Sequence, residues 1–152
     1  MKTPDVNVLL YAVNADSPQQ ALAGDWLERA FADPAGIGFA WIALLGFIRI
    51  ATRPGLFANP LALDDALGLV DDWLNHPHAC ILNPTERHSA LLARLLIGAG
   101  AGGNLTSDAH LAAIAIEHGA TLATFDRDFE RFSGLRWEWL TDHAVHEAAE
   151  LR

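Results

Sequence analysis

The 152-residue chain predicts an α/β domain, a sandwich with helices on both faces of a central, largely parallel sheet. Three observations point there. Short apolar runs at residues 37–40, 79–82 and 120–124 alternate with longer stretches of helical period, the order that builds a parallel sheet through helical crossovers. Turn residues separate them, as in Asp33-Pro34-Ala35-Gly36, Asn75-His76-Pro77 and Gly119. No segment repeats and no linker divides the chain, so a single domain is expected over residues 1–142. Residues 143–152 read as a polar tail with helical character.

In chain order, residues 6–13 follow Asp5 as an apolar run that fits a buried strand or a short helix, since periodicity does not separate the two. Pro4 falls where a first central strand ends, and proline is tolerated there only at a terminus. Ser17-Pro18 opens a helix with Ala21, Leu22, Trp26, Leu27 and Ala30 on one stripe, proline suiting a first helical position. Residues 41–52 are expected to be helical, with Trp41, Leu44, Leu45, Ile48 and Ala51 together and Arg49 and Arg53 one turn apart at the end. Asp64 starts a further helix through Leu67, Val70, Trp73 and Leu74.

Cys80, between Ala79 and Ile81, reads as a buried strand thiol. Thr85 caps a helix running to about Ile97, and a glycine-rich connector over 98–103 leads into the next. Thr106 or Ser107 is the expected cap there, because a hydroxyl oxygen accepts from an otherwise unpaired helix N–H. Gly119 ends that helix, a position that favours a residue without Cβ. Arg136-Trp137-Glu138-Trp139 alternates with period two, as a half-buried strand does.

Composition narrows the function. Hydrophobic residues make up 51% of the chain and charged residues 19%, which excludes a disordered chain. The longest apolar run, 40–51, is interrupted by Gly46 and Arg49 and is too short to span a bilayer. No membrane association is expected, and with no apolar leader after Met1-Lys2 the default location is cytoplasmic. A single cysteine excludes an intrachain disulfide. The net charge of −9 argues against sequence-blind binding to phosphates, which uses many Lys and Arg contacts. It does not argue against a nuclease, whose clustered carboxylates are offset by a cation.

The candidate chemistry lies in Asp5, Asp108, Asp126 and Asp128, with Asn7 and Ser107 beside them. Asp108 sits near a helix start and Asp126 just past a strand, at the rim where open α/β sheets bind ligands. Carboxylates converging there form a hard, oxygen-only site suited to Mg²⁺ or Mn²⁺. Each acid alone reads as a turn former or helix cap; the set in this order does not. The glycine run lacks the Gly-Lys-Ser/Thr ending of a phosphate loop. His110, two residues after Asp108, points away from it on a helix, and His88 reads as a core or capping histidine.

Asp5-Val-Asn7-Val-Leu-Leu-Tyr11-Ala, Asn104-Leu-Thr-Ser-Asp108-Ala-His-Leu-Ala-Ala and Thr124-Phe-Asp126-Arg-Asp128-Phe together resemble PIN-domain ribonucleases, and more narrowly the VapC-type toxins of bacterial toxin–antitoxin pairs. Arg49-Ile-Ala-Thr-Arg-Pro54, Arg87-His88 and Phe132-Ser-Gly-Leu-Arg-Trp137 match one branch of that family. The resemblance implies a PIN-like α/β/α fold and an Mg²⁺- or Mn²⁺-dependent endoribonuclease that hydrolyses RNA. It also implies a homodimer and a cognate VapB-like antitoxin. Carried over, Asp5, Asp108 and Asp126 are the catalytic and metal-site acids, Asp128 a further metal ligand, and Asn7 and Ser107 supports. Arg49 and Arg53 are candidates for holding a substrate phosphate. The family usually places one more acid, a Glu, three residues before the Arg matched here by Arg49; that position is Gly46. The alternative is therefore a catalytically degenerate PIN domain acting as a protein- or RNA-binding module.

Overall fold

The computed structural model describes residues 1–100 and 102–141; the tail expected over 143–152 lies outside the described residues. Five strands, β1 (Lys2–Pro4), β2 (Ile37–Phe39), β3 (Ala79–Ile81), β4 (Thr121–Thr124) and β5 (Trp137–Trp139), form one sheet in the order β3-β2-β1-β4-β5. Every pairing is parallel. The chain winds outward from β1 through β2 to β3, then returns to place β4 and β5 on the other side. The order therefore reverses between β1 and β4, which makes that crevice the ligand-binding position of the architecture.

Among the described residues six α-helices cover the sheet: α1 (Val6–Val13), α2 (Gln20–Ala32), α3 (Trp41–Ala51), α4 (Leu63–Leu74), α5 (His88–Ala99) and α6 (Leu105–Glu117). Alternating strand residues feed two cores. Ile37, Phe39 and Ala123 pack under α1 to α4 with Leu9, Trp26, Leu44 and Phe47. Leu122 joins Leu95, Ile114 and Phe129 under α5 and α6. Gly38 is required between Ile37 and Phe39 because a Cβ there would stand 2.6 Å from Leu82 Cδ1.

Residues 6–13 resolve as a helix. Asp5 is extended (ψ 163°) and its carboxylate accepts from the Val6 amide, so one capping residue carries the chain from strand to helix. Pro4 keeps its strand position because of where the ladder stops. Lys2 N–H donates toward β2, to Gly36 O at 3.2 Å, and the N–H two residues on would face the same way. The β1–β2 register extends only to Lys2↔Ile37, so the donor that proline lacks has no strand partner to lose.

Several expectations are corrected. In α3 the buried face is Ala43, Leu44, Phe47 and Ala51, while Trp41 and Leu45 are 42% and 59% exposed. The helix is apolar nearly all round, so its stripe did not fix its orientation. Leu67 of α4 is likewise exposed, and Ala66, Val70 and Trp73 face inward. Cys80 is exposed because β3 is an edge strand. Neither Thr106 nor Ser107 caps α6. The helix begins at Leu105, and Gly102 and Gly103 carbonyls accept from the Leu105 and Thr106 amides. Backbone oxygens thus replace the side-chain cap, with Gly103 in the left-handed region at φ +57°, which glycine adopts freely. Gly119 ends α6 at φ +64°, as its position predicts.

Candidate active site

The site is assembled around the hydroxyl of Thr124, the last residue of β4. Thr124 Oγ1 donates to Asp5 Oδ2 at 2.7 Å and accepts from the Asp126 amide at 2.9 Å and from Asn7 Nδ2 at 3.3 Å. Asn7 Oδ1 in turn accepts from the Phe125 amide at 3.2 Å. Asp5 Oδ1 is held by the Val6 amide at 2.7 Å. Asp126 Oδ1 accepts from Asp128 N at 2.9 Å, capping a 3₁₀ turn at Arg127–Arg131. The ends of β1 and β4 are thereby locked into one polar unit, as expected at the switch point.

Asp108 enters from α6, one turn inside the helix. It lines a cavity with Asp5, Ser107, Gly46 and Arg49, and among the described residues its carboxylate has no hydrogen-bond or ion-pair partner. Burial, and then the charges of Asp5, Asp126 and Asp128, push its pKa up to about 7. Asp5 is also raised, first by burial and, more weakly, by Asp126, against the hydrogen bonds from Thr124 and Val6. Asp108 is therefore within electrostatic reach of the other three acids expected from the sequence, and Asp5 of Asp126. Asn7 and Ser107 adjoin them, and Arg49 borders the cavity. Arg53 is exposed beyond the end of α3 and does not line the cavity.

The family model of the PIN domain matches residues 2–135. The chain belongs to the PIN-domain family. This PIN domain is 49% identical over 138 residues to Ribonuclease VapC37 of Mycobacterium tuberculosis, covering 91% of this chain and 96% of that protein. It is 39% identical over 137 residues to Ribonuclease VapC33 of the same organism, covering 90% and 96%. Among solved structures, VapBC-1 from nontypeable Haemophilus influenzae shares the fold, with a TM-score of 0.66, 18% identity and coverage of 92% of this chain and 98% of that one.

The donors of this PIN domain suit a divalent cation by charge and chemistry. They are oxygen only, and a carboxyl lifted to about 7 by burial first and by neighbouring carboxylates second carries a repulsion that a cation relieves. They are grouped rather than closed. Among the described residues no three acidic or histidine side chains are gathered tightly enough to hold an ion as they stand. Gly46 borders the same cavity, and a Cβ on it would meet Val6 Cγ2 at 3.0 Å, so Val6 occupies part of the space an acid there would need.

A second polar chain escaped the sequence reading. Glu117, whose side chain is fully buried, accepts from Thr85 N at 2.8 Å and Thr85 Oγ1 at 2.5 Å through Oε1, and bonds His88 Nδ1 at 2.6 Å through Oε2. His88 Nε2 meets His110 Nδ1 at 2.8 Å. His110 does point away from Asp108, but toward α5 rather than into solvent. Burial pushes the Glu117 carboxyl up, yet the Thr85 and His88 hydrogen bonds outweigh it and hold it below its ordinary value. The His110 imidazole is lowered by burial and by His88, with partial offset from Glu117. The signal available was the Arg87-His88 match, without a partner to read it against. Replacing Glu117 by Ala is expected to destabilise the fold by about 1–3 kcal/mol, because the half-buried His88 and the exposed Thr85 lose a charged acceptor. Urea denaturation at neutral pH measures this, and a loss below about 1 kcal/mol would show the chain to be ornamental.

Proposed function

We propose that this PIN domain is a divalent-metal-dependent endoribonuclease, the toxin of a toxin–antitoxin pair, hydrolysing RNA phosphodiester bonds in the cytoplasm. The observation that carries the reading is the convergence of Asp5, Asp108 and Asp126 at the β1/β4 switch point, with Asp128 in electrostatic reach. A bound Mg²⁺ or Mn²⁺ would supply Lewis acidity to a water and offset charge on the phosphate. Asp5, Asp108 and Asp126 would hold the ion, Asp128 would add negative charge, and Asn7 fixes the strand end from which Asp126 projects. Ser107 is the neutral hydrogen-bonding group at the cavity mouth. Arg49 is placed to contact a substrate phosphate; the exposed Arg53 has no such placement.

The relatives' name, Ribonuclease VapC, supports the RNA substrate, and the neighbouring VapBC structures support a VapB-like antitoxin as partner. The exposed Trp41 and Leu45 on α3 suit a homodimer, since a protein that stays monomeric seldom leaves such a strip uncovered. No helix of the described residues is long and apolar enough to cross a membrane. A second reading, a non-catalytic binding module, is favoured by Gly46 and by the ungathered acids. Expression in a bacterial host lacking the antitoxin separates the two. Growth arrest with discrete new RNA ends is expected. Soluble protein that binds neither Mn²⁺ nor cuts RNA in vitro favours the module.

A further inference from the structure

At Phe125, the residue before Asp126, lies a second opening of about 260 Å³, walled by Tyr11, Gln19, Leu22, Phe125, Trp139 and Thr141. Drug-sized ligands use roughly 300–1,000 Å³, so this one suits a single planar ring system. We propose that this aromatic cavity, between α1 and the β4–β5 edge, binds one unpaired base of a single-stranded RNA whose phosphate lies over the acids. The proposal rests on the ribonuclease reading and extends it to how the strand is gripped.

Three features carry it. The cavity is fixed to the site through one residue: Asn7 Oδ1 accepts from Phe125 N at 3.2 Å, and Trp139 Nε1 donates to Phe125 O at 3.3 Å. Phe125 is followed directly by Asp126, and Tyr11 lies one helical turn after Asn7 on α1. A nucleotide held at the acids therefore has an aromatic slot beside it.

The walls offer what a base needs. Tyr11 and Phe125 meet edge to face, centroids 4.9 Å apart at 89°, and unstacked RNA bases are bound by stacking on aromatic rings and by hydrogen bonds to their edges. Among the described residues the Tyr11 hydroxyl has no hydrogen-bond partner. Ser17 Oγ donates to Gln19 Oε1 at 2.8 Å, so the amide oxygen is engaged and the NH₂ is the group left to donate to a base carbonyl.

A cation stands alongside in an otherwise acidic protein. The Arg127 guanidinium lies 5.0 Å from the Trp139 ring centre. Its bond to Glu130, at 3.4 Å, joins side chains 66% and 65% exposed, and such pairs are weak enough to yield to a phosphate. An apolar peptide side chain would use the rings but gains nothing from the cation.

The test measures binding apart from cleavage. The full chain carrying Asp108→Asn is titrated with a short, fluorescently labelled single-stranded RNA in EDTA, with or without Trp139→Ala, Trp139→Phe or Gln19→Ala. Trp139→Ala is expected to weaken binding about 5- to 50-fold, the range for loss of one base–aromatic stack. Trp139→Phe should recover most of it, and Gln19→Ala, at a half-buried position, should cost several-fold. In cleavage by the otherwise unaltered chain, Gln19→Ala should raise KM rather than lower kcat. If Trp139→Ala does not fold, quenching of tryptophan emission by the RNA decides: it should be largely absent in Trp139→Phe. Equal RNA affinity in folded Trp139→Ala, unchanged quenching in Trp139→Phe, or loss of antitoxin affinity with RNA affinity intact would each overturn the proposal. Were the unaltered chain never to cut RNA while binding stayed Trp139-dependent, the base slot would stand and the nuclease reading would fall.

Discussion

Asp108→Asn is expected to reduce RNA cleavage by about 10²–10³-fold, the scale for removing one electrostatic group aimed at the reacting phosphate, and at the same time to make the metal-free protein more stable. The second effect distinguishes a site acid from a structural one. In the folded chain Asp108 keeps its proton to about pH 7, whereas its ordinary pKa is 3.8. The folded state thus binds more protons than the unfolded chain between those values, so stability falls as pH rises through that window and levels off above it. Asparagine mimics the neutral form at every pH. At pH 8 in EDTA the variant should gain about 1 kcal/mol after allowance for solvent screening, a rise in Tm of about 2–4 °C. Below pH 4 the two proteins should melt together. Saturating Mn²⁺ should raise the Tm of the wild type alone. A variant that is less stable at pH 8 would assign Asp108 to the fold instead.

Restoring the absent acid should have the next largest effect, provided that its space is cleared first. Gly46→Glu alone must push its Cβ against Val6 Cγ2 at 3.0 Å, and is expected to lose stability with little gain in metal affinity. Paired with Val6→Ala, the new carboxylate enters the cavity that holds Asp5, Ser107 and Asp108. Calorimetric titration with Mn²⁺ should then show binding about tenfold tighter, because affinity at oxygen sites follows the number of charged ligands. The metal-free double variant should be less stable at pH 8 than wild type, since a further carboxylate adds repulsion. Unchanged Mn²⁺ affinity in a folded double variant would show that the ion does not sit against α3.

The acids were legible because the architecture does most of the sorting. In a parallel sheet, residues just past the strand ends share one rim, so the positions of Asp5 and Asp126 follow from recognising two strands. Asp108 follows from a helix that returns to that rim. Thr124 was not legible, because a threonine closing a strand reads first as a β-former. Its role depends on β1 and β4 being neighbours, and strand order is not written in either segment. Cys80 failed for the same reason: whether β3 is central or an edge depends on the rest of the sheet. The orientation of α3 was hidden by excess, with apolar residues on nearly every side. Glu117, His88 and His110 were hidden by distance, since spacing along one helix says nothing about the helix packed against it.

The single hydroxyl of Thr124 divides the acids by how they are attached. Asp5 and the backbone of Asp126 are both tied to it, so their separation is set by the sheet and changes only if β1 and β4 part. Asp108 has no such tether and rides on α6, whose first amides are held by two glycine carbonyls. The cluster is therefore joined in two ways, one side by hydrogen bonds at the strand ends and the other by the packing of α6, whose Ala109, Leu111 and Ala112 are buried. Its width is set by how α6 packs on the sheet, so substitutions in the buried face of that helix act on the width without touching a carboxylate.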